Sequence, residues 1–122
     1  MRVAQLFDGQ DASGEWAFAP DHPRLDDQDE RARIAGFLRG GTVILRVPGS
    51  DVDRIEPANG RIVPVSTFTD GMWIWGDGLR YYVETHGIAP EPDFLAHIVA
   101  HEYVAATPDE QACRAAFDQL RQ

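Results

Sequence analysis

Lysine is absent from this chain: all 11 of its basic residues are arginine. Asparagine occurs once, at Asn59, and cysteine once, at Cys113. A single cysteine excludes an internal disulfide and a multi-cysteine zinc site. Long apolar runs are also missing, since no stretch approaches the roughly 18–20 residues that span a bilayer. The N-terminus turns acidic at Asp8 before a signal-peptide core could form, so a cytoplasmic protein is expected. Lysine and asparagine codons are AT-rich, and their scarcity points to a GC-rich coding sequence. A halophile would share this acidity.

What is present is acid. Twenty Asp and Glu residues against 11 arginines leave a net charge of −9. Nucleic acids and anionic membranes bind cationic surfaces, so neither is expected as a partner. A basic protein is, because the field of an acidic chain speeds its approach. Acidity also serves solubility alone. A length of 122 residues with 43% hydrophobic composition suits one domain, residues 1–122, with one core.

The pattern along the chain predicts an α+β fold. Residues 1–7 and Glu15–Ala19 read as short strands, parted by a turn at Gly9–Gly14. Asp26 or Asp27 is placed to cap a helix whose apolar stripe is Ile34, Phe37 and Leu38, stopping at Gly40-Gly41. Thr42–Val47 is a β-branched strand. Residues 48–61 have loop chemistry. Ile62–Thr69 then reads as a strand, Asp70-Gly71 as a type I′ hairpin turn, and Met72–Trp75 as the return. Asp77 is expected to cap a helix ending at His86, with a left-handed stop at Gly87. A further helix carries Phe94, Leu95, Ile98 and Val99. Thr107-Pro108-Asp109-Glu110 is a capping box for a last helix that turns Cys113, Ala116, Phe117 and Leu120 inward. The expected architecture is a small, mostly antiparallel sheet with a C-terminal β-hairpin, followed by three short helices packed on one face.

Chemistry-bearing residues are few. His97 and His101 have the i,i+4 spacing of zinc enzymes, but Glu102 lies outside the pair and no third ligand is evident. No metal or cofactor is expected, and no catalytic residue is assigned. Glu102 falls in line with Leu95 and Ile98, so either an arginine or a backbone terminus binds it or, the favoured reading, the helix ends near Ala100. Cys113 reads as a buried structural thiol. Trp73 and Trp75 share one strand face. Of Tyr81 and Tyr82, only one can face the core, and Tyr81 is the more exposed.

One pattern is specific in its spacing. Thr69-Asp70-Gly71-Met72-Trp73-Ile74-Trp75, Tyr81-Tyr82, His86-Gly87-Ile88-Ala89-Pro90 and Leu95 to Ile98 together resemble a group of small actinobacterial proteins. That group shares a TDGxWxW…YY…HG(I/L)AP…L..HI pattern. The resemblance covers roughly residues 37–98 and fits the lysine-free composition. It implies no catalytic residues. Small acidic proteins of this type include immunity proteins and antitoxins.

These readings converge on a non-enzymatic protein-interaction module, an immunity protein or antitoxin that neutralises a basic toxin. Its expected contact residues are Asp70, Trp73, Asp77, Tyr81 and Glu84. The alternative is a small-molecule enzyme or sensor. Its pocket would lie between the hairpin and the helices, lidded by residues 48–61 and supplied by His86, His101 and Glu102. A third reading is a homodimer joined through the hairpin.

Overall fold

A computed structural model describes residues 1–122. Its strands are β1 (Arg2–Val3), β2 (Gly9–Gln10), β3 (Trp16–Ala17), β4 (Thr42–Leu45), β5 (Ser50–Val52), β6 (Arg61–Pro64), β7 (Thr67–Thr69) and β8 (Trp73–Gly76). The helices are α1 (Gln28–Arg39), α2 (Gly78–His86), α3 (Pro92–Ala100) and α4 (Glu110–Leu120). No helix is long and apolar enough to cross a membrane.

The α+β class fits, but the expected architecture needs correction. There are three sheets: a four-stranded one ordered β1-β8-β7-β4, and two-stranded ones formed by β2-β3 and β5-β6. The larger sheet is mixed, because β1 runs parallel to β8 with Arg2 opposite Trp73. The N-terminal residues therefore add a parallel edge strand to a sheet that was expected to be mostly antiparallel. Residues 62–69 are not one strand. Pro64 cannot donate to a ladder, and the chain divides there: β6 pairs with β5, while β7 pairs with β4 and β8. Residues 48–61 are likewise no open loop, since they hold β5 and a 3₁₀ turn, Pro57–Asn59.

The hairpin turn also differs in type. Asp70 N–H bonds the Trp73 carbonyl, so Gly71 and Met72 are the central residues. Only Gly71 has positive φ, at 93°, which is the type II′ pattern. The Asp70 carboxylate holds the turn by accepting from the backbone of Met72 and Trp73, each at 2.9 Å.

The helices form where the apolar spacing requires. Asp27 caps α1 by accepting from Asp29 N–H at 2.9 Å, and Asp29 and Glu30 complement its positive end. Gly87, at φ 68°, stops α2, with Ile88 N–H returning to the Tyr82 carbonyl. Helix α3 stops at Ala100, and Glu102 and Tyr103 follow with φ of 55° and 62°. The cap of α4 lies two residues beyond the expected Thr107, because Asp109 accepts from Ala112 N–H at 2.7 Å.

Phe37, Trp75, Phe94, Leu38 and Ile98 form the centre of the main core. Val63, Tyr82 and Ile88 form a second cluster under β6. Ile74 points to the opposite face from Trp73 and Trp75 and is also fully buried. The sheet is thus covered on both faces, against the expectation of helices on one. Helix α4 packs on β4, and Gln119 bonds the Met1 carbonyl beside β1, so α4 reaches from one edge of the sheet to the other.

Candidate functional site

The largest cleft, about 520 Å³, is within the usual range for ligand sites. It lies away from the hairpin, between the N-terminal segment and the chain that joins α2 to α3. Proline dictates its walls. Pro20 and Pro23 on one side, and Pro90 and Pro92 on the other, prevent either segment from extending a sheet. Two backbone bonds still tie the walls together at their base: Leu25 N–H to the Gly87 carbonyl (2.6 Å) and Ala89 N–H to the Pro23 carbonyl (3.1 Å). Above that seam the walls part. Leu6, Ala89, Pro90, Pro92 and Leu95 supply apolar surface, and Asp8, Asp21 and Glu91 supply carboxylates. No arginine lines the cleft.

His22 bridges the walls. Its Nδ1 lies 2.7 Å from Asp8 Oδ2, and its Nε2 lies 2.8 Å from the Ala89 carbonyl oxygen. The ring therefore ties the Asp8 side chain on one wall to the Ala89 backbone on the other. Burial raises the Asp8 pKa, but the Ala19 N–H and His22 outweigh it and hold the group below its ordinary value. Glu91 accepts from Gln5 N–H at 2.8 Å, which pins the N-terminal segment across the cleft mouth.

Two other histidines repeat this bond elsewhere. His86 Nε2 donates to Asp53 Oδ2, and His97 Nε2 to Asp70 Oδ2, each at 2.7 Å. Asp53 is fully buried. Its carboxylate also accepts from Ile55 N–H and Glu56 N–H (both 2.9 Å), Asn59 Nδ2 (3.1 Å) and the Tyr81 hydroxyl (2.6 Å). Burial pushes the Asp53 pKa up. The bonds from His86, Tyr81, the Glu56 backbone and Asn59 overcome that and hold it far below the carboxylate range. The same carboxylate, after burial, raises the Tyr81 pKa. Burial takes the neighbouring Tyr82 up to about 12, while Arg54 N–H, donating to its hydroxyl at 2.9 Å, pulls the other way. This network joins the 53–60 segment to α2.

The expected contact residues are placed as follows. Trp73 is 6% exposed and stacks on Phe94 with centroids 4.8 Å apart, so it is a core residue rather than an exposed aromatic. Asp70 is buried beneath the turn and bonded to His97. Tyr81 is half-buried, its hydroxyl taken by Asp53. Asp77 stands at the N-cap of α2 as expected, but its side chain makes no capping bond and instead holds Arg80 at 2.8 Å. Glu84 is exposed and pairs with Arg39 and Arg80, linking α1 to α2. All five bind within the chain, and they do not gather on one open surface.

The alternative set does not converge either. His86 is bound to Asp53, His101 Nδ1 donates to the His97 carbonyl at 2.9 Å, and Glu102 is exposed past the end of α3. The 48–61 segment is no lid, because its Asp53 is part of the interior. No group of three or more His, Cys, Asp or Glu side chains is placed to hold a metal ion. Cys113 is half-buried.

Sequence reasoning missed Asp8, His22, Asp21, Asp53 and Glu91. One signal was available for the cleft: two proline-rich segments, 20–23 and 90–92, each carrying an acid. Comparison with known proteins adds no assignment, since no family model, curated protein or solved structure matches this chain.

Proposed function

We propose that this chain is a non-enzymatic binding module for a basic protein, an immunity protein or antitoxin being the form that suits its size and charge. The observation that carries this reading is the cleft: apolar walls, three carboxylates and no arginine, on a chain of net charge −9. Such a surface attracts a cationic segment at long range and covers its aliphatic stems at contact. The contact surface expected on the hairpin and α2 moves to the cleft, whose carboxylates are less fully committed.

Affinity capture from the native host, followed by titration of the captured protein, tests this. The expected result is one stoichiometric partner of high isoelectric point that binds more weakly as salt rises. Reversing one charge with Asp21→Arg should weaken it about tenfold or more, roughly 1.4 kcal/mol. Glu91→Gln should weaken it less, since it keeps an acceptor for Gln5. Capture of no basic partner, or a partner indifferent to both variants, refutes the reading.

A further inference from the structure

The cleft does not end at its own walls. Gln5 and Leu6 line it and also a neighbouring depression that runs to Phe7 and Trp16. Asp8 and Ala19 line it and a second neighbour bounded by Asp11 and Phe18. The cleft thus adjoins a depression on either side, and the three share wall residues along 5–20 as one grooved face. No arginine lines any part of that groove.

Trp16 stands at one end, on β3 of the small β2-β3 sheet. It is 52% exposed, and neither an aromatic ring nor an arginine stacks on it. The other two tryptophans, Trp73 and Trp75, are core residues. A large aromatic left open beside an acidic groove is the kind of residue that dominates binding energy.

The groove also has unused acceptors. Ala19 N–H and His22 both bond Asp8 Oδ2, which leaves Oδ1 free. Gln5 takes one oxygen of Glu91 and leaves the other. Asp21 bonds nothing within the chain and is exposed. Glu15, by contrast, is spent on Arg54. Free carboxylate oxygens thus sit at the cleft, and an open indole sits at the far end.

Resting on the binding-module reading above, we propose that the groove receives an extended, arginine-bearing segment of the partner. One guanidinium enters the cleft among Asp8, Asp21 and Glu91, and a second stacks on the Trp16 indole. Arginine suits both ends better than lysine. Its planar fork matches carboxylate oxygens in pairs, it stacks on an aromatic face, and it sheds water more easily than an ammonium. The prolines and leucines of the walls cover its methylene stem.

Three capped hexapeptides test this by NMR titration of the full chain, with two arginines, two lysines or two citrullines at the same spacing. The arginine peptide should shift the backbone amides of Leu6, Asp8, His22 and Glu91, together with the Trp16 indole N–H. The lysine peptide should bind about threefold to fivefold more weakly, the ratio expected of lost stacking and pairing. Citrulline, which keeps the shape without the charge, should not bind. Trp16→Ala should weaken the arginine peptide by a similar factor, and Trp16→Phe should restore part of it. Equal binding of arginine and lysine, shifts that avoid Trp16, or no shifts from any peptide at millimolar concentration would overturn the proposal. Those outcomes leave the module reading standing if a basic protein is still captured. Failure of the capture itself removes that reading separately.

Discussion

Replacing Asp53 should damage this protein more than any exposed substitution. The carboxylate is fully buried and accepts five hydrogen bonds, from two backbone amides, Asn59, Tyr81 and His86. Bonds to a charged group are worth about 1.5–3 kcal/mol each, but simple addition overshoots, because the charge also lost water on burial. Breaking a buried pair by removing one partner costs about 3–5 kcal/mol, and that figure applies to Asp53→Ala. In a chain of 122 residues this lowers Tm by roughly 12–20 °C. Asp53→Asn should cost less, roughly 2–3 kcal/mol. Its carbonyl can still serve the two backbone amides, while its NH₂ faces the donors of His86, Asn59 and Tyr81. Acid supplies a second check. The folded pKa of Asp53 is depressed, so its stabilisation is complete above the unfolded carboxylate pKa, about 4, and is lost as pH falls below that. Chemical denaturation from pH 7 down to pH 3 measures both effects. The gap between the native chain and Asp53→Asn should be widest above pH 4 and shrink below it. A gap under about 1 kcal/mol at pH 7, or one that fails to shrink in acid, would refute the account of this network.

Two further substitutions probe the packing. At Gly41 an added Cβ would lie 2.4 Å from the Trp75 ring, a fully buried indole, so Gly41→Ala should cost about 1–3 kcal/mol by overpacking, read as a shifted urea midpoint with unchanged m. Asp109→Ala removes the cap of α4 and should cost about 1 kcal/mol, with amide exchange speeding first at Ala112.

Much of the helical part of this fold was legible in the sequence. Asp27 before an apolar stripe, Gly87 after one, and the stop at Ala100 are local signals, and local hydrogen bonds satisfy them. The α+β class follows from the same alternation of periods. Strand partnership was less legible. Ile62–Thr69 reads as one strand because β-branched residues recur through it, yet β6 and β7 belong to different sheets. Nothing local says that β1, two residues long, will join β8 from the far end of the chain. The I′ turn expected at Asp70-Gly71 gave way to a II′ turn, because the Asp70 carboxylate bonds the backbone beyond it and is itself held by His97 on α3.

The candidate site shows the same division. Composition alone determined that the protein is acidic, free of lysine and without an internal disulfide, and these properties bound the partners it suits. Only the tertiary structure decided which acids matter. Asp53 and Asp70 are drawn inside by histidines from α2 and α3, whereas Asp8, Asp21 and Glu91 meet around one cleft from three separate stretches of chain. Trp73 was expected at a contact surface and lies in the core, while Trp16 stays open, for the same reason. The first is stacked on Phe94 by the docking of α3, and the second stays half-exposed on a two-stranded sheet. Local periodicity selects the elements, because their hydrogen bonds close within a few residues. The burial of any one side chain depends on which distant segment arrives to cover it.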